Sequence, residues 1–92
     1  MTIQRRMVLT ALHRAGPGGL YGVEIGTRTG LSTGTTTPAL TAMRNAQPPL
    51  VEDVDPHHVP KPGARRYTRI TADGISLVES WPHPVALPRV GR

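Results

Sequence analysis

The sequence predicts an α+β fold, mainly helical, with three helices, a two-stranded hairpin and a short fourth helix in chain order. Apolar residues recur at helical spacing through the first half of the chain. After Gln47-Pro48-Pro49 the period shortens to that of strands, and glycine and proline fall at the joints between segments.

The first helix opens at Thr2, a hydroxyl N-cap. It carries Ile3, Met7 and Ala11, with Val8, Leu12 and Ala15 beside them, along one face as far as Ala15. Gly16-Pro17-Gly18-Gly19 cannot continue it. In the second helix Tyr21 and Ile25 share a face, Glu24 falls in the first turn and Gly30 supplies the stop. The third runs from about Thr33 to Ala46 behind Ser32 as N-cap, with Leu40 and Met43 as an apolar pair. Gln47-Pro48-Pro49 ends it.

Leu50 to Asp55 and Arg65 to Thr71 are short β-compatible runs, separated by a proline-rich segment that is basic at its far end. Together they make a hairpin with a long loop. On the second run Arg66, Thr68 and Ile70 share one face, and Arg65, Tyr67 and Arg69 the other. A short helix then starts at Thr71 as N-cap, with Asp73 in its first turn and the pairs Ile75 with Val78 and Leu77 with Trp81. Pro82, Pro84 and Pro88 stop regular structure. The expected division is a folded domain over residues 1–80 and a proline-rich tail over 81–92, mobile or laid on the surface.

Composition narrows the function. A chain of 92 residues makes one small domain with little core. Eleven Lys+Arg against six Asp+Glu, a formal charge of +5, favour a polyanionic partner. Without cysteine there are no disulfides, thiolate nucleophiles or cysteine zinc sites. Phenylalanine is absent, and Tyr21, Tyr67 and Trp81 are too few to stack successive unpaired bases, so a duplex fits better than a single strand. No apolar run spans a bilayer, and the expectation is a cytoplasmic, nucleoid-associated protein with no membrane partner.

Helix, helix, helix, hairpin, helix is the order of a winged helix-turn-helix. Within it, Gly19 to Met43, "GLYGVEIGTRTGLSTGTTTPALTAM", resembles the PadR-like regulators, whose pattern is Leu-Tyr-Gly, a Gly-Leu-Ser turn, then Gly-Thr-x-x-Pro-x-Leu. Gly34, Thr35, Pro38 and Leu40 stand in the last motif. "GARRYTRIT", Gly63 to Thr71, is similar to the family's Arg-Arg-Tyr-x-x-Leu-Thr strand, and the following "ADG" to its Pro-Glu-Gly. The resemblance covers roughly Ile3 to Ser80. It implies a sequence-specific, double-stranded DNA-binding regulator of transcription, with a repressor as the expectation. Thr36 and Thr37 stand where family members carry Leu-Tyr, and the proline-broken tail stands where the family adds a helical region for dimerisation and effector response. A minimal form of this kind is common in phage and mobile-element regulators.

In that fold the third helix enters the major groove with its N-terminal residues at base edges and phosphates. The expected reading residues are Ser32, Thr33, Gly34, Thr35, Thr37, Pro38 and Thr41, with Arg44 on a phosphate. Threonine hydroxyls donate or accept at base edges, and their methyls touch the thymine methyl. Gly34 permits close approach, and Pro38, beyond the first turn, predicts a local distortion. The plainer account of the threonines is that they cap orphan N–H groups, and Thr36, in an apolar family position, is expected to be structural. Lys61, Arg65 and Arg66 form a basic hairpin tip suited to phosphates or a minor groove. Glu52, Asp53 and Asp55 on the partner strand would repel DNA unless they face away or orient the arginines.

No metal, cofactor or catalysis is expected. His57 and His58 are adjacent, so on a strand they point to opposite faces, and Ser32 has no evident base. A domain this small gains from pairing, so a homodimer is expected, through the first helix and the segment around Trp81. The alternative function is a winged helix used as a protein-interaction module, for example a phage factor that binds a host protein through Trp81, Pro82, Val85 and Leu87 in the tail.

Overall fold

The computed structural model describes residues 1–54 and 66–89. It is an α+β structure, mainly helical: α1 (Ile3–Ala15), β1 (Leu20–Tyr21), α2 (Gly22–Thr29), α3 (Thr33–Arg44), β2 (Val51–Asp53), β3 (Tyr67–Ile70) and α4 (Ala72–Ser80). A single 3-10 turn over Gly16–Gly18 follows α1. The strands form one antiparallel sheet in the order β1-β3-β2.

Helix α1 is the centre of the core. Val8, Leu9, Thr10, Ala11 and Leu12 are all buried, so the middle of this helix is covered on every side. Ile25 comes from α2, Ala39 and Met43 from α3, and Leu20, Val51 and Ile70 from the strands. Two departures from the helical pattern follow. Ile3, placed on the apolar face by its spacing, is exposed because it lies at the helix end, beyond the packed middle. Leu9, off that face, is fully buried. The Thr10 hydroxyl is buried with no hydrogen-bond partner among the described residues. Thr10→Val keeps the shape and removes an uncompensated polar group, and is expected to raise stability by about 1 kcal/mol in urea titrations.

The predicted caps and stops hold α1, α2 and α4. Thr2 accepts from the Arg5 N–H at 3.1 Å. The Tyr21 N–H donates to Glu24 at 3.1 Å, and Gly30 closes α2 in the left-handed region at φ 75°. Thr71 accepts from the Gly74 N–H at 3.1 Å and donates to the Pro49 carbonyl at 2.7 Å, which ties α4 to the segment before β2.

Tyr21, expected on the second helix, belongs instead to β1, paired opposite Tyr67. This two-residue strand makes β3 the central strand of the sheet, and Tyr67 on one face and Thr68 and Ile70 on the other are all buried. The two tyrosine rings meet edge to face at 5.4 Å. Helix α3 ends at Arg44, two residues before the expected Ala46, where Asn45 caps it and the Leu50 N–H reaches the Met43 carbonyl at 2.9 Å.

Residues 82–89 have no helix or strand, yet Val85 is buried and Leu87 packs on the core. Leu87 and Pro88 share a small cleft with Ala11, Arg14 and Arg28. The first part of the tail is therefore laid on the domain. No helix among the described residues is long and apolar enough to cross a membrane.

Candidate nucleic-acid interface

The faces of α3 divide by spacing. Thr36, Ala39 and Met43 point into the core, and Leu40 packs beside them. Gly34, Thr37, Pro38, Thr41 and Asn45 are exposed, at the i, i+3, i+4, i+7 spacing of one helical stripe. Thr33 is exposed at the start, and Thr35 is half-buried. Thr36 is structural, as its place in the motif implied, at 3% exposure.

Ser32 has the extended backbone of an N-cap, but its side chain caps nothing. Its Oγ lies 3.3 Å from the Thr35 hydroxyl, while its carbonyl accepts from both the Thr35 and Thr36 N–H groups at 3.0 and 2.9 Å. The Thr33 and Gly34 N–H groups have no acceptor among the described residues. Two backbone donors at the positive end of a helix are suited to an anion.

Pro38 stands inside α3, and the helix runs through it without interruption, so the expected distortion does not break the element. Its missing N–H leaves the Gly34 carbonyl without its helical donor. An alanine Cβ at Gly34 would find only the Ser32 Oγ, at 3.8 Å. Packing therefore does not demand glycine there, nor does it demand the exposed proline.

An open cleft of about 410 Å³ lies beside this stripe. Gly22 and Val23 at the start of α2, Thr37, Thr41 and Arg44 from α3, and Arg66 at the foot of β3 are among the residues that line it. Val23 is 71% exposed, the most solvent-facing large apolar residue described. Neither it nor Asn45 was marked by the sequence, because one exposed residue in a first turn and one at a C-cap leave no periodic trace.

Charge around the cleft is ordered by the hairpin. Arg44 donates to Asp53 at 3.1 Å, and Arg69 donates to Glu52 at 2.8 Å across the β2–β3 ladder. These two carboxylates orient arginines, the second of the arrangements allowed from sequence. Half-exposed pairs of this kind contribute little stability, at most about 1 kcal/mol, but the Arg44 pair offsets the negative charge of Asp53 next to a cleft-lining residue. The Arg44 Nε is buried without a partner among the described residues, while its Nη2 meets Asp53. Arg66 is exposed and makes no ion pair among the described residues. Lys61, Arg65, Asp55, His57 and His58 lie outside the described residues.

The structure thus brings Thr37, Thr41, Arg44 and Arg66 to one concave surface, with Thr33, Gly34 and Pro38 on the adjoining outer face of α3. Ser32 and Thr35 are turned toward each other. In comparisons with known proteins, no family model, curated protein or solved structure matches this chain.

Proposed function

We propose that the chain is a winged helix-turn-helix of PadR-like type that binds double-stranded DNA and regulates transcription. Helix α3 lies in the major groove, and the β2–β3 hairpin holds the backbone or minor groove. The observation that carries this reading is the outer stripe of α3: uncharged, rich in hydroxyls and methyls, exposed, and bordered by Arg44 and Arg66 on one concave surface. The sheet order supports it as well, since β1 leads directly into α2 and pairs with β3, while β2 and β3 pair as the antiparallel strands of a wing.

Regulation by occupancy of an operator, as a repressor, is the simplest consequence. A homodimer on a two-fold operator would pair through α1 and the region of Trp81. There Met1 and Ile3 are more than half exposed, and the Arg6 guanidinium covers the Trp81 ring at 5.2 Å. The protein-interaction alternative has less support, because Val85 and Leu87 are engaged with the domain itself.

Fluorescence anisotropy with a mixed pool of duplexes across a salt series tests the proposal. The native chain is expected to lose affinity steeply with salt, and Arg66→Ala to reduce the slope of log K against log salt by about one. A combined Lys61→Ala/Arg65→Ala/Arg66→Ala chain should flatten it further, by about one per lost phosphate contact. Duplex affinity that does not change with salt would overturn the reading.

A further inference from the structure

We infer that Thr37, Pro38 and Thr41 on α3 read thymine methyl groups in the major groove, so that sequence is selected by apolar contact and not by paired hydrogen bonds to purines. This inference rests on the proposal that α3 enters DNA.

The first support is what the stripe lacks. Strong direct readout uses arginine or lysine on the O6 and N7 of guanine, and asparagine or glutamine on the N6 and N7 of adenine. Thr33, Gly34, Thr37, Pro38 and Thr41, the exposed positions of the turns that enter a groove, include none of these. Arg44 already donates to Asp53 at 3.1 Å, so gripping a guanine edge would have to compete with that pair. Asn45 sits at the C-cap, the end farthest from the entering turns.

The second support is what the stripe presents. Thr37 and Thr41 are one helical turn apart and each offers a methyl, while the Pro38 ring between them adds exposed carbons and no N–H. A thymine exposes its C5 methyl in the same groove, where such groups meet apolar side chains. Each residue is a poor helix former at an exposed position, so the interior of the protein does not account for the choice. The Gly34 carbonyl, freed by Pro38, adds an acceptor suited to the exocyclic amine of an adjacent adenine or cytosine.

The experiment selects bound duplexes from a pool with a randomised core, then remakes the best one with deoxyuridine in place of thymine, one position at a time. Deoxyuridine lacks only the methyl group. The full chain is compared with Thr37→Ser/Thr41→Ser, which removes the protein methyls and keeps both hydroxyls.

The native chain is expected to lose about fourfold in affinity at each contacted thymine, the equivalent of one buried methyl. The serine variant should bind the thymine duplex more weakly and be indifferent to deoxyuridine. Equal affinity of the native chain for the two duplexes, with salt-dependent binding intact, overturns the inference and leaves the DNA-binding proposal standing. Selection that enriches no sequence does the same. Absence of salt-dependent binding to any duplex overturns both.

Discussion

Gly74→Ala is expected to lower stability by about 3 kcal/mol, against the total of roughly 5–15 kcal/mol that small domains possess. An alanine in a helix normally improves on glycine by up to about 1 kcal/mol, so local propensity predicts the opposite sign. Contact decides it. A Cβ at Gly74 would run into the Leu50 carbonyl oxygen and the Ile70 side chain. The carbonyl is backbone, already accepting from the Thr71 N–H at 3.0 Å, and cannot step aside. Relief requires moving the first turn of α4, which is fixed by the two Thr71 side-chain bonds to Gly74 and Pro49. Gly18→Ala is the control, since a Cβ there meets nothing within 4 Å, and should stay within about 0.5 kcal/mol of the native chain. Urea midpoints for the two variants measure the difference. If they coincide, α4 is not seated on Leu50 as described.

Much of this architecture is legible from local signals, because the signals are physical constraints on single elements. Thr2 and Thr71 announce helix starts by having hydroxyls that can satisfy free N–H groups, and both do. Gly30 announces a stop, and its backbone is left-handed as a stop requires. The strand β1 was not legible, since Leu20 and Tyr21 are too few to show a period and become a strand only by finding β3. Alternation places Thr68 with Ile70 on one face, but it does not reveal that Tyr67, on the other, is buried as well and meets the ring of Tyr21.

The candidate interface divides in the same way. The exposed stripe through Thr37, Pro38 and Thr41 follows from helical spacing alone, once Thr36 and Met43 are placed inside. The pairing of Arg44 with Asp53 and of Arg69 with Glu52 could be posed only as an open question, because the first depends on how α3 packs against β2 and the second on strand register. Ser32 shows the limit of motif reasoning. Its backbone is that of an N-cap, yet its hydroxyl turns to Thr35, and two N–H donors of α3 have no acceptor among the described residues.

Pro38→Ala is expected to stabilise the protein by about 2 kcal/mol. Proline in a helix interior costs about 3 kcal/mol relative to alanine, through a lost hydrogen bond and a clash with the preceding turn. Pro38 is the sixth residue of α3, past the first turn where proline is tolerated, and its i−4 partner is the Gly34 carbonyl. Alanine restores that bond. The side chain is exposed, so removing the ring opens no cavity. Against this gain stands the freedom the unfolded chain recovers when proline is lost, roughly 0.4–1 kcal/mol. The net should appear as a rise in the urea midpoint with an unchanged slope. Unaltered or reduced stability would mean that α3 already accommodates the proline, and the residue would then need no explanation at the surface. A rise, by contrast, identifies a residue that weakens its own helix where no packing compensates. Paired with a loss of discrimination among duplexes in the same variant, it would locate the compensation in the partner that α3 meets.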